Sequence, residues 1–398
     1  MSKKEKIYII GGGIVGCTTA FYLTKHPRFD TSKYEIVIIE SNNIACAASG
    51  KAGGLLASWA FPSKLAQLSF RLHQCLAQKY QGDLNWGYRK LPSANLDVDL
   101  TYDNDELTST SLPPNLNWID SKNIIKWTKL SGNDSTAQID PYKFTNFVLQ
   151  KAIDSHCVNV IYGRVTNINI NKEHITSYVE SLEYIPVKKK TNLHEKSSQI
   201  NLNPNDKVVL CTGPWISKLL PQCPISGMKA HSITVQPNES LEEGHQLEPY
   251  ALFNEIKLND TDFFSPEIYS RRNEIYICGE TDKMSDELPD PTKDVEANST
   301  ECDKLYKYSS ILSPEQIGHG QILKRQACYL PVLNDATSCG PLIGETDTPC
   351  LYIASGHACW GINNSCATGK LLSELILDGE ATSCNIDKLN PQLYFNVS

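Results

Sequence analysis

The sequence predicts an α/β fold that combines a Rossmann-like parallel sheet with a second, β-rich domain. Three observations support this prediction. The chain opens with a strand, a glycine turn, a helix and a second strand; an apolar strand that runs into glycine recurs at residues 207–213 and 351–356; and the intervening regions carry β-like segments such as 274–279. Short apolar runs that end in glycine are typical of buried parallel strands, so we expect the chain to return to one sheet several times.

The composition is that of a globular protein without a strong charge bias. The chain has 398 residues, a net charge of −8 and 40% hydrophobic residues. This acidic balance argues against a nucleic-acid partner. No apolar stretch approaches the roughly 18 residues that would span a bilayer, and the first residues resemble no secretory signal. The 14 cysteines include no Cys-x-x-Cys pair, so we expect free thiols, no metal site and a soluble protein of the cytoplasm.

The first elements form a βαβ unit. Residues 6–10 predict a buried strand, the following glycine run opens a helix, and Pro27 ends that helix because a residue before proline is displaced from helical geometry. Residues 35–39 predict the second strand, which ends at Glu40. A strand, crossover helix and strand in this order favour a parallel sheet.

Later elements follow the same pattern. We expect a helix from Asp140 to about residue 155 and a helix at about 362–377, together with strands at 158–162, 207–210 and 351–355. Polar stretches at 103–117, 186–206, 236–249 and 284–303 predict loops. Regions 60–135 and 228–325 instead carry β-like segments, as in a β-rich α+β domain. We therefore assign 1–60, 138–227 and 326–398 to a discontinuous cofactor-binding domain, and 61–137 and 228–325 to a substrate domain.

The glycine turn has the form of a dinucleotide-binding motif. Gly11 permits the tight turn, Gly13 leaves room for a pyrophosphate, and Gly16 lets the helix approach the strand. The helix N-terminus offers unpaired N–H groups to the phosphates. Glu40 lies about 20 residues further on, where a carboxylate binds the ribose hydroxyls. A P-loop at Gly50-Lys51 is excluded, because residues 45 and 52 are both alanine.

Five blocks together carry a resemblance that extends over nearly the whole chain. They are residues 9–16, 45–56, 208–215, 340–344 and 355–362, the last reading Ser-Gly-His-x-x-x-Gly-Ile. In order and spacing they resemble the D-amino-acid oxidase superfamily of flavoproteins, which includes glycine, sarcosine, pipecolate and saccharopine oxidases. The resemblance implies an FAD that lies extended, with its flavin at the domain interface.

The resemblance and the glycine motif together give a predicted FAD site. The small residues after Ser49 would let the backbone run beside the flavin, and the helix that begins near Gly361 would stabilise negative charge on reduced flavin. The predicted cofactor-binding residues are Gly11, Gly13, Ile14, Val15, Gly16, Glu40, Ser41, Ser49, Gly50, Lys51, Ala52, Gly53, Gly54, Leu55, Val165, Thr212, Gly213, Trp215, Cys328, Gly356, His357, Gly361 and Ile362.

Three residues are candidates for a catalytic role. Lys51 could stabilise the reduced flavin or activate oxygen, and a solvent-facing lysine is the alternative. Tyr329, with Trp360, would border the substrate cavity unless both aromatics simply pack in the core. His357 is expected to orient its loop through a backbone hydrogen bond rather than to transfer protons. The cysteine that matches Cys328 is bonded covalently to flavin in sarcosine and pipecolate oxidases; a buried free thiol is the alternative here.

One departure from the family limits the substrate assignment. Glycine and D-amino-acid oxidases carry an Arg-Pro pair whose arginine grips the substrate carboxylate, whereas this chain has Leu330-Pro331. A simple α-amino acid is therefore disfavoured.

The predicted function is FAD-dependent oxidation of a C–N bond in a small amine or modified amino acid. A hydride would pass to flavin N5, and oxygen would reoxidise the flavin to give hydrogen peroxide. The first alternative is a flavin-bound regulatory or interaction protein with little turnover, for example in membrane trafficking. The second is an NAD-dependent dehydrogenase.

Overall fold

The computed structural model describes residues 4–101, 111–172, 177–187, 197–238, 247–281, 287–335, 338 and 340–397. Parts of the four stretches that the sequence predicts as loops lie outside these residues. The described part of the chain contains two eight-stranded sheets and one three-stranded sheet.

The first sheet is the predicted Rossmann-like sheet. Its strands are β1 (Glu5–Ile10), β2 (Tyr34–Glu40), β8 (Val158–Asn171), β9 (Tyr178–Pro186), β10 (Ser198–Asn201), β11 (Lys207–Leu210), β18 (Leu342–Glu345) and β19 (Leu351–Ser355). They lie in the order β10-β9-β8-β2-β1-β11-β19-β18. The five strands from β8 to β19 in this order are parallel. Four consecutive residues of β1, Ile7–Ile10, are buried, as expected for a strand covered on both faces.

Three helices pack together over one face of this sheet: α1 (Ile14–Lys25), α5 (Pro141–Ile153) and α8 (Gly361–Asp378). The structure confirms that α1 ends before Pro27 and that Asp140 begins α5, since its side chain accepts a hydrogen bond from Lys143 N at 3.0 Å. Gly369 of α8 lies against α1, where an added Cβ would stand 2.6 Å from Thr18 C. The two helices therefore cross in direct backbone contact.

The second sheet has one apolar face and one mixed face. Its strands are β5 (Ser93–Asp99), β6 (Ile124–Ser131), β12 (Ile225–Gln236), β13 (Ala251–Lys257), β14 (Phe263–Phe264), β15 (Glu267–Ser270), β16 (Ile275–Thr281) and β17 (Gln321–Leu333). Buried residues such as Ile233, Ile268 and Ile277 pack on α7 (Ser299–Leu312). Because side chains alternate across a sheet, Glu267, Tyr269 and Tyr276 lie on the opposite face.

The third sheet contains β3 (Leu55–Ala57), β4 (Arg89–Lys90) and β7 (Thr136–Gln138). The remaining helices are α2 (Ala48–Lys51), α3 (Ser63–Lys79), α4 (Gly82–Trp86) and α6 (Ile216–Leu219).

Among the described residues, no helix is long and apolar enough to cross a membrane, and no group of three histidine, cysteine or acidic residues could hold a metal ion.

Two helices that were not individually predicted lie among the β-like segments of residues 60–135 and 228–325. The 17-residue helix α3 buries Leu65, Phe70, His73 and Leu76 on one face, a spacing of three to five residues that is helical and not strand-like. Helix α7 begins inside the predicted loop 284–303, where Asn298 caps it by accepting a hydrogen bond from Thr300 N at 2.9 Å. Strand β10 also lies in a predicted loop. The division into two domains at the predicted boundaries stays a prediction.

Candidate functional site

A cavity of about 560 Å³ lies where the carboxyl ends of the parallel strands meet the second sheet. This is the edge at which open α/β sheets bind ligands, because the loops that follow the strands converge there. The wall is built from stretches that are far apart in sequence: residues 10–15, 39–52, 163–166, 211–219, 290–295, 329–331 and 354–362. The chain thus returns repeatedly to one elongated space.

The glycine turn between β1 and α1 forms one end of the cavity. Gly11 has a φ of +108°, and a Cβ there would stand 2.4 Å from Cys211 O. Gly16 packs so closely on the turn that a Cβ would stand 2.1 Å from Gly11 O. Gly13 lies in the cavity wall, and the nearest atom to its missing Cβ is Ser49 Oγ at 3.0 Å. The turn therefore presents its backbone to the cavity.

Two helices begin at the cavity wall, and in neither does the N-cap residue itself supply a side-chain cap. Helix α1 starts after Gly13, and Ile14 N donates a hydrogen bond to Ser49 Oγ at 2.9 Å. Helix α8 starts at Gly361, and both Gly361 and Ile362 line the cavity. A helix N-terminus carries partial positive charge and unpaired N–H groups. The cavity is therefore suited to a ligand with negative charge near both helix ends.

Glu40 places a carboxylate in the same wall, at the end of β2. Its Oε2 accepts from Gly12 N at 2.6 Å, and its Oε1 accepts from Asn42 N at 2.7 Å. Burial raises the pKa of this carboxyl, whereas the hydrogen bonds that it accepts act in the opposite direction. The side chain is thereby fixed next to Ser41, which also lines the cavity.

A segment from the connection between β16 and α7 closes one side of the cavity; we call residues 289–295 the strap. Residues 290, 291, 293, 294 and 295 of the strap line the cavity. The strap is held by hydrogen bonds from Trp215 Nε1 to Pro289 O (2.8 Å), Arg164 Nη1 to Asp290 Oδ2 (2.5 Å), Ser41 Oγ to Pro291 O (3.1 Å) and Asn42 Nδ2 to Asp294 Oδ1 (3.4 Å). No sequence motif points to this segment, which belongs to a stretch predicted only as a loop.

Many of the predicted site residues meet at this cavity. Those that line it are Gly11, Gly13, Ile14, Val15, Glu40, Ser41, Ser49, Ala52, Val165, Thr212, Gly213, Trp215, Tyr329, His357, Gly361 and Ile362. The residues that do not line it are Gly16, Gly50, Lys51, Gly53, Gly54, Leu55, Cys328 and Gly356. Gly53 and Gly54 serve close packing instead, since Cβ atoms there would stand 2.4 Å from Tyr269 Cε2 and 2.0 Å from Ile139 O.

The catalytic candidates have different environments. Tyr329 borders the cavity, with its ring 6.4 Å from that of Trp215. His357 also borders it, but its Nε2 lies 3.0 Å from Thr368 Oγ1, so its partner is a side chain and not the expected backbone group. Burial lowers the pKa of His357 to about 3, which keeps the imidazole neutral.

Lys51 and Cys328 lie next to each other and do not line the cavity. Lys51 Nζ donates to Ala327 O at 3.0 Å and so points toward β17 instead of into solvent. Burial raises the pKa of the Cys328 thiol to about 11, although the charge of Lys51 acts to lower it. A protonated thiol is a weak nucleophile.

A group of aromatic side chains adjoins these residues; we call Trp59, Phe253, Tyr269, Tyr276 and Trp360 the aromatic recess. The rings of Tyr269 and Tyr276 are stacked at 5.9 Å, and Trp59 lies 5.6 Å from Trp360 and 6.3 Å from Phe253. Glu267 belongs to the same sheet face, and Tyr269 Oη donates a hydrogen bond to its Oε2. Sequence reasoning missed this recess because its five members come from five separate segments, which only the tertiary fold brings together.

Two fungal proteins are similar to this chain over nearly its whole length. One is "Putative oxidoreductase TDA3" of Saccharomyces cerevisiae, with 39% identity over 99% of this chain and 96% of the yeast protein. The other is "Putative oxidoreductase C1F5.03c" of Schizosaccharomyces pombe, with 35% identity over 98% of this chain and 99% of that protein.

Solved structures share the fold at low sequence identity. Glycine oxidase from Geobacillus kaustophilus superposes with a TM-score of 0.70 and 15% identity, covering 98% of this chain and 99% of its own. L-proline dehydrogenase from P. horikoshii gives a TM-score of 0.69 and 18% identity, covering 98% of each chain. The family model for FAD dependent oxidoreductases, named DAO, matches residues 6–375. With this match and the site geometry in agreement, the chain belongs to the DAO family of FAD-dependent oxidoreductases.

Proposed function

We propose that this oxidoreductase holds FAD in the cavity and oxidises a C–N bond of a small amine or modified amino acid. The observation that carries the proposal is the convergence of two helix N-termini and the buried Glu40 on one elongated space. An extended dinucleotide needs positive potential at its pyrophosphate and a carboxylate at its ribose. The names of several structures with the same fold, among them glycine oxidase and iminodiacetate oxidase, also support an amino-group substrate.

Each part of the wall would take one part of the cofactor. The turn from Gly11 to Gly16 and the start of α1 suit the pyrophosphate, and Glu40 suits the adenosine ribose. The start of α8 suits the pyrimidine edge of the flavin, where its positive end favours negative charge. The strap closes over the wall next to Ser41, and so would limit release of the adenosine half.

FAD held there would supply the hydride acceptor for the carbon that carries the amine, with oxygen as the final electron acceptor, reduced to hydrogen peroxide. The neutral His357 cannot supply a positive charge, and its contact with Thr368 fixes the loop before α8. Leu330 and Pro331 line the cavity where relatives carry the carboxylate-binding arginine. This favours an amine over a simple α-amino acid.

The test is the visible absorption spectrum of the purified protein, recorded before and after acid precipitation. We expect a flavin spectrum that moves to the supernatant, because the protonated Cys328 does not line the cavity. Bleaching of the flavin by a member of an amine panel without oxygen, and hydrogen peroxide release with oxygen, would support the oxidase.

The other outcomes separate the alternatives. A colourless protein that binds NAD would overturn the proposal. A yellow pellet would show that the flavin is covalently bound, with Cys328 as the candidate that the family resemblance offers. A flavin that no amine bleaches would favour the regulatory role, which the replacement of the family's arginine by Leu330 also fits.

A further inference from the structure

Glu267 is a deep carboxylate that retains contact with free space. It lies on β15 opposite Phe253 of β13 and Cys278 of β16. Burial raises the pKa of its carboxyl, yet the residue keeps intermediate exposure, as do Phe253, Cys278 and Trp360. A residue that is both deep and accessible lines a recess.

This recess adjoins the proposed flavin site. Gly53, in the segment that the family resemblance places beside the flavin, packs on the rings of Tyr269 and Tyr276, 2.4 Å and 2.9 Å from its absent Cβ. The thiol of Cys359 lines the cavity, and the charge of Glu267 contributes to the raised pKa of that thiol. Glu267 therefore acts electrostatically at the cavity wall.

No basic side chain in the described part of the structure is recorded as neutralising Glu267. Its recorded hydrogen bonds come from Tyr269 Oη and, at 3.8 Å, from Cys278 Sγ. Two basic side chains of this region have other partners. Arg271 lies over the Tyr276 ring at 4.7 Å, pairs with Glu274 at 2.7 Å and donates to the carbonyls of residues 52 and 53. Lys51 donates to Ala327 O. A buried carboxylate without a cationic partner is costly, and a bound cation would relieve that cost.

We propose that Glu267 and the aromatic recess recognise the ammonium group of a cationic amine substrate that has no carboxylate. The inference rests on the proposed amine oxidation and narrows its substrate class. A carboxylate accepts strong hydrogen bonds from an ammonium group, and the faces of Trp and Tyr rings attract cations. The same surroundings repel a substrate carboxylate. In glycine and D-amino-acid oxidases an arginine binds the substrate carboxylate, but this chain has Leu330 at that position. Here the negative charge of Glu267 would instead bind the substrate's ammonium group.

The experiment compares two probes of nearly equal size and opposite charge, benzylammonium and benzoate, titrated into the FAD-loaded protein. Binding is followed by the flavin difference spectrum and by calorimetry at neutral pH, without turnover. We expect benzylammonium to bind and benzoate to bind at least about tenfold more weakly. Glu267→Gln should weaken benzylammonium binding about tenfold or more, because it removes the charge but keeps the shape. Glu255→Gln, an exposed glutamate of β13, is the matched control and should leave binding unchanged.

Each result bears on the inference separately from the oxidase proposal. Tighter binding of benzoate by the unchanged protein would overturn the inference without any variant. Equal benzylammonium affinity in Glu267→Gln and the unchanged protein would overturn it as well. If benzylammonium binds through Glu267 and no amine reduces the flavin, the recognition site stands and the oxidase proposal fails. If an amino acid reduces the flavin equally well in Glu267→Gln, the oxidase stands and this inference fails.

Discussion

His73 shows how burial of a single ionisable residue makes stability depend on pH. Its Nε2 lies 3.1 Å from Ile362 O, its ring packs 4.9 Å from Phe144, and no partner is recorded for its Nδ1 among the described residues. Burial lowers the pKa of His73 from 6.5 to about 4. Between these two values the unfolded chain binds a proton that the folded protein does not, so stability falls as the pH falls from about 6.5 to about 4.

We therefore predict that His73→Gln reduces the acid sensitivity of folding. The free energy of unfolding should fall less steeply from pH 6.5 to pH 4.5 than in the unchanged protein, by about 1.4 kcal/mol per pH unit. Urea unfolding at a series of pH values measures this slope. His319→Gln, at an exposed histidine, is the control and should keep the original slope. Parallel curves for the His73 variant and the unchanged protein would contradict the prediction.

For single residues, a role could be predicted from the sequence most reliably where the backbone conformation itself requires a particular amino acid. Gly11 and Gly16 were placed correctly because their missing side chains are required by the turn itself. The role of Gly53 was not foreseeable, since the rings that demand it come from β15 and β16. Lys51 was ambiguous for the same reason, because its partner Ala327 lies 276 residues away.

At the scale of elements, the turn between β1 and α1 contains two glycines with different roles. Gly16 packs against the turn, whereas Gly13 faces the cavity. We predict that Gly16→Ala destabilises the fold by about 1–3 kcal/mol, because its Cβ would meet the carbonyl of Gly11. Gly13→Ala should change the free energy of unfolding less, yet weaken FAD binding about tenfold or more, because its Cβ enters the cavity wall near the start of α1.

Urea unfolding and quenching of flavin fluorescence on titration of the apoprotein measure these two effects. Gly132→Ala, whose nearest neighbour would be a flexible lysine side chain at 3.8 Å, is the control for both. Equal loss of stability in the Gly13 and Gly16 variants would refute the separation of roles.

The helices predicted most accurately were those with clear start or stop residues in the sequence. Helices α1 and α5 were anticipated because Pro27 ends the first and Asp140-Pro141 begins the second. Helix α3 was missed although its buried positions follow a helical period, because it lacks a capping side chain at Pro62 and lies between β-like segments. Strand β10 was hidden by the polar composition of its neighbours.

At the scale of the whole molecule, the strap leads from β16 of the second sheet across one side of the cavity. We predict that Arg164→Gln or Asp290→Asn speeds FAD release about two- to fivefold, as expected for a partly exposed ion pair. The double variant should release FAD no faster than the stronger single variant, since both remove the same interaction. The rise in flavin fluorescence after dilution gives the rate.

Arg325→Gln is the matched control for the strap, because Arg325 pairs with the exposed Asp303 away from the cavity wall. An effect of Arg325→Gln as large as that of Arg164→Gln would mean that charge in general, and not the strap, governs release.

More of the overall architecture than of the candidate site could be predicted from the sequence. Repeated apolar strands ending in glycine were enough to predict the parallel sheet. The strap and the aromatic recess depend on contacts between distant elements, such as Ser41 with Pro291 and Tyr269 with Gly53. Short sequence patterns do not predict contacts between segments that are far apart in the chain.

The wall of the cavity begins at residue 10 and is completed only at residue 362, and β19, near the end of the chain, pairs with β11 inside the sheet. A ribosome must therefore translate the message as far as residue 362 before the cavity can be closed. A chain that terminates before residue 351 would leave β11 with an unpaired edge, and such an edge invites aggregation during synthesis. Stop codons shortly before residue 351 should thus yield insoluble product and not a truncated flavoprotein.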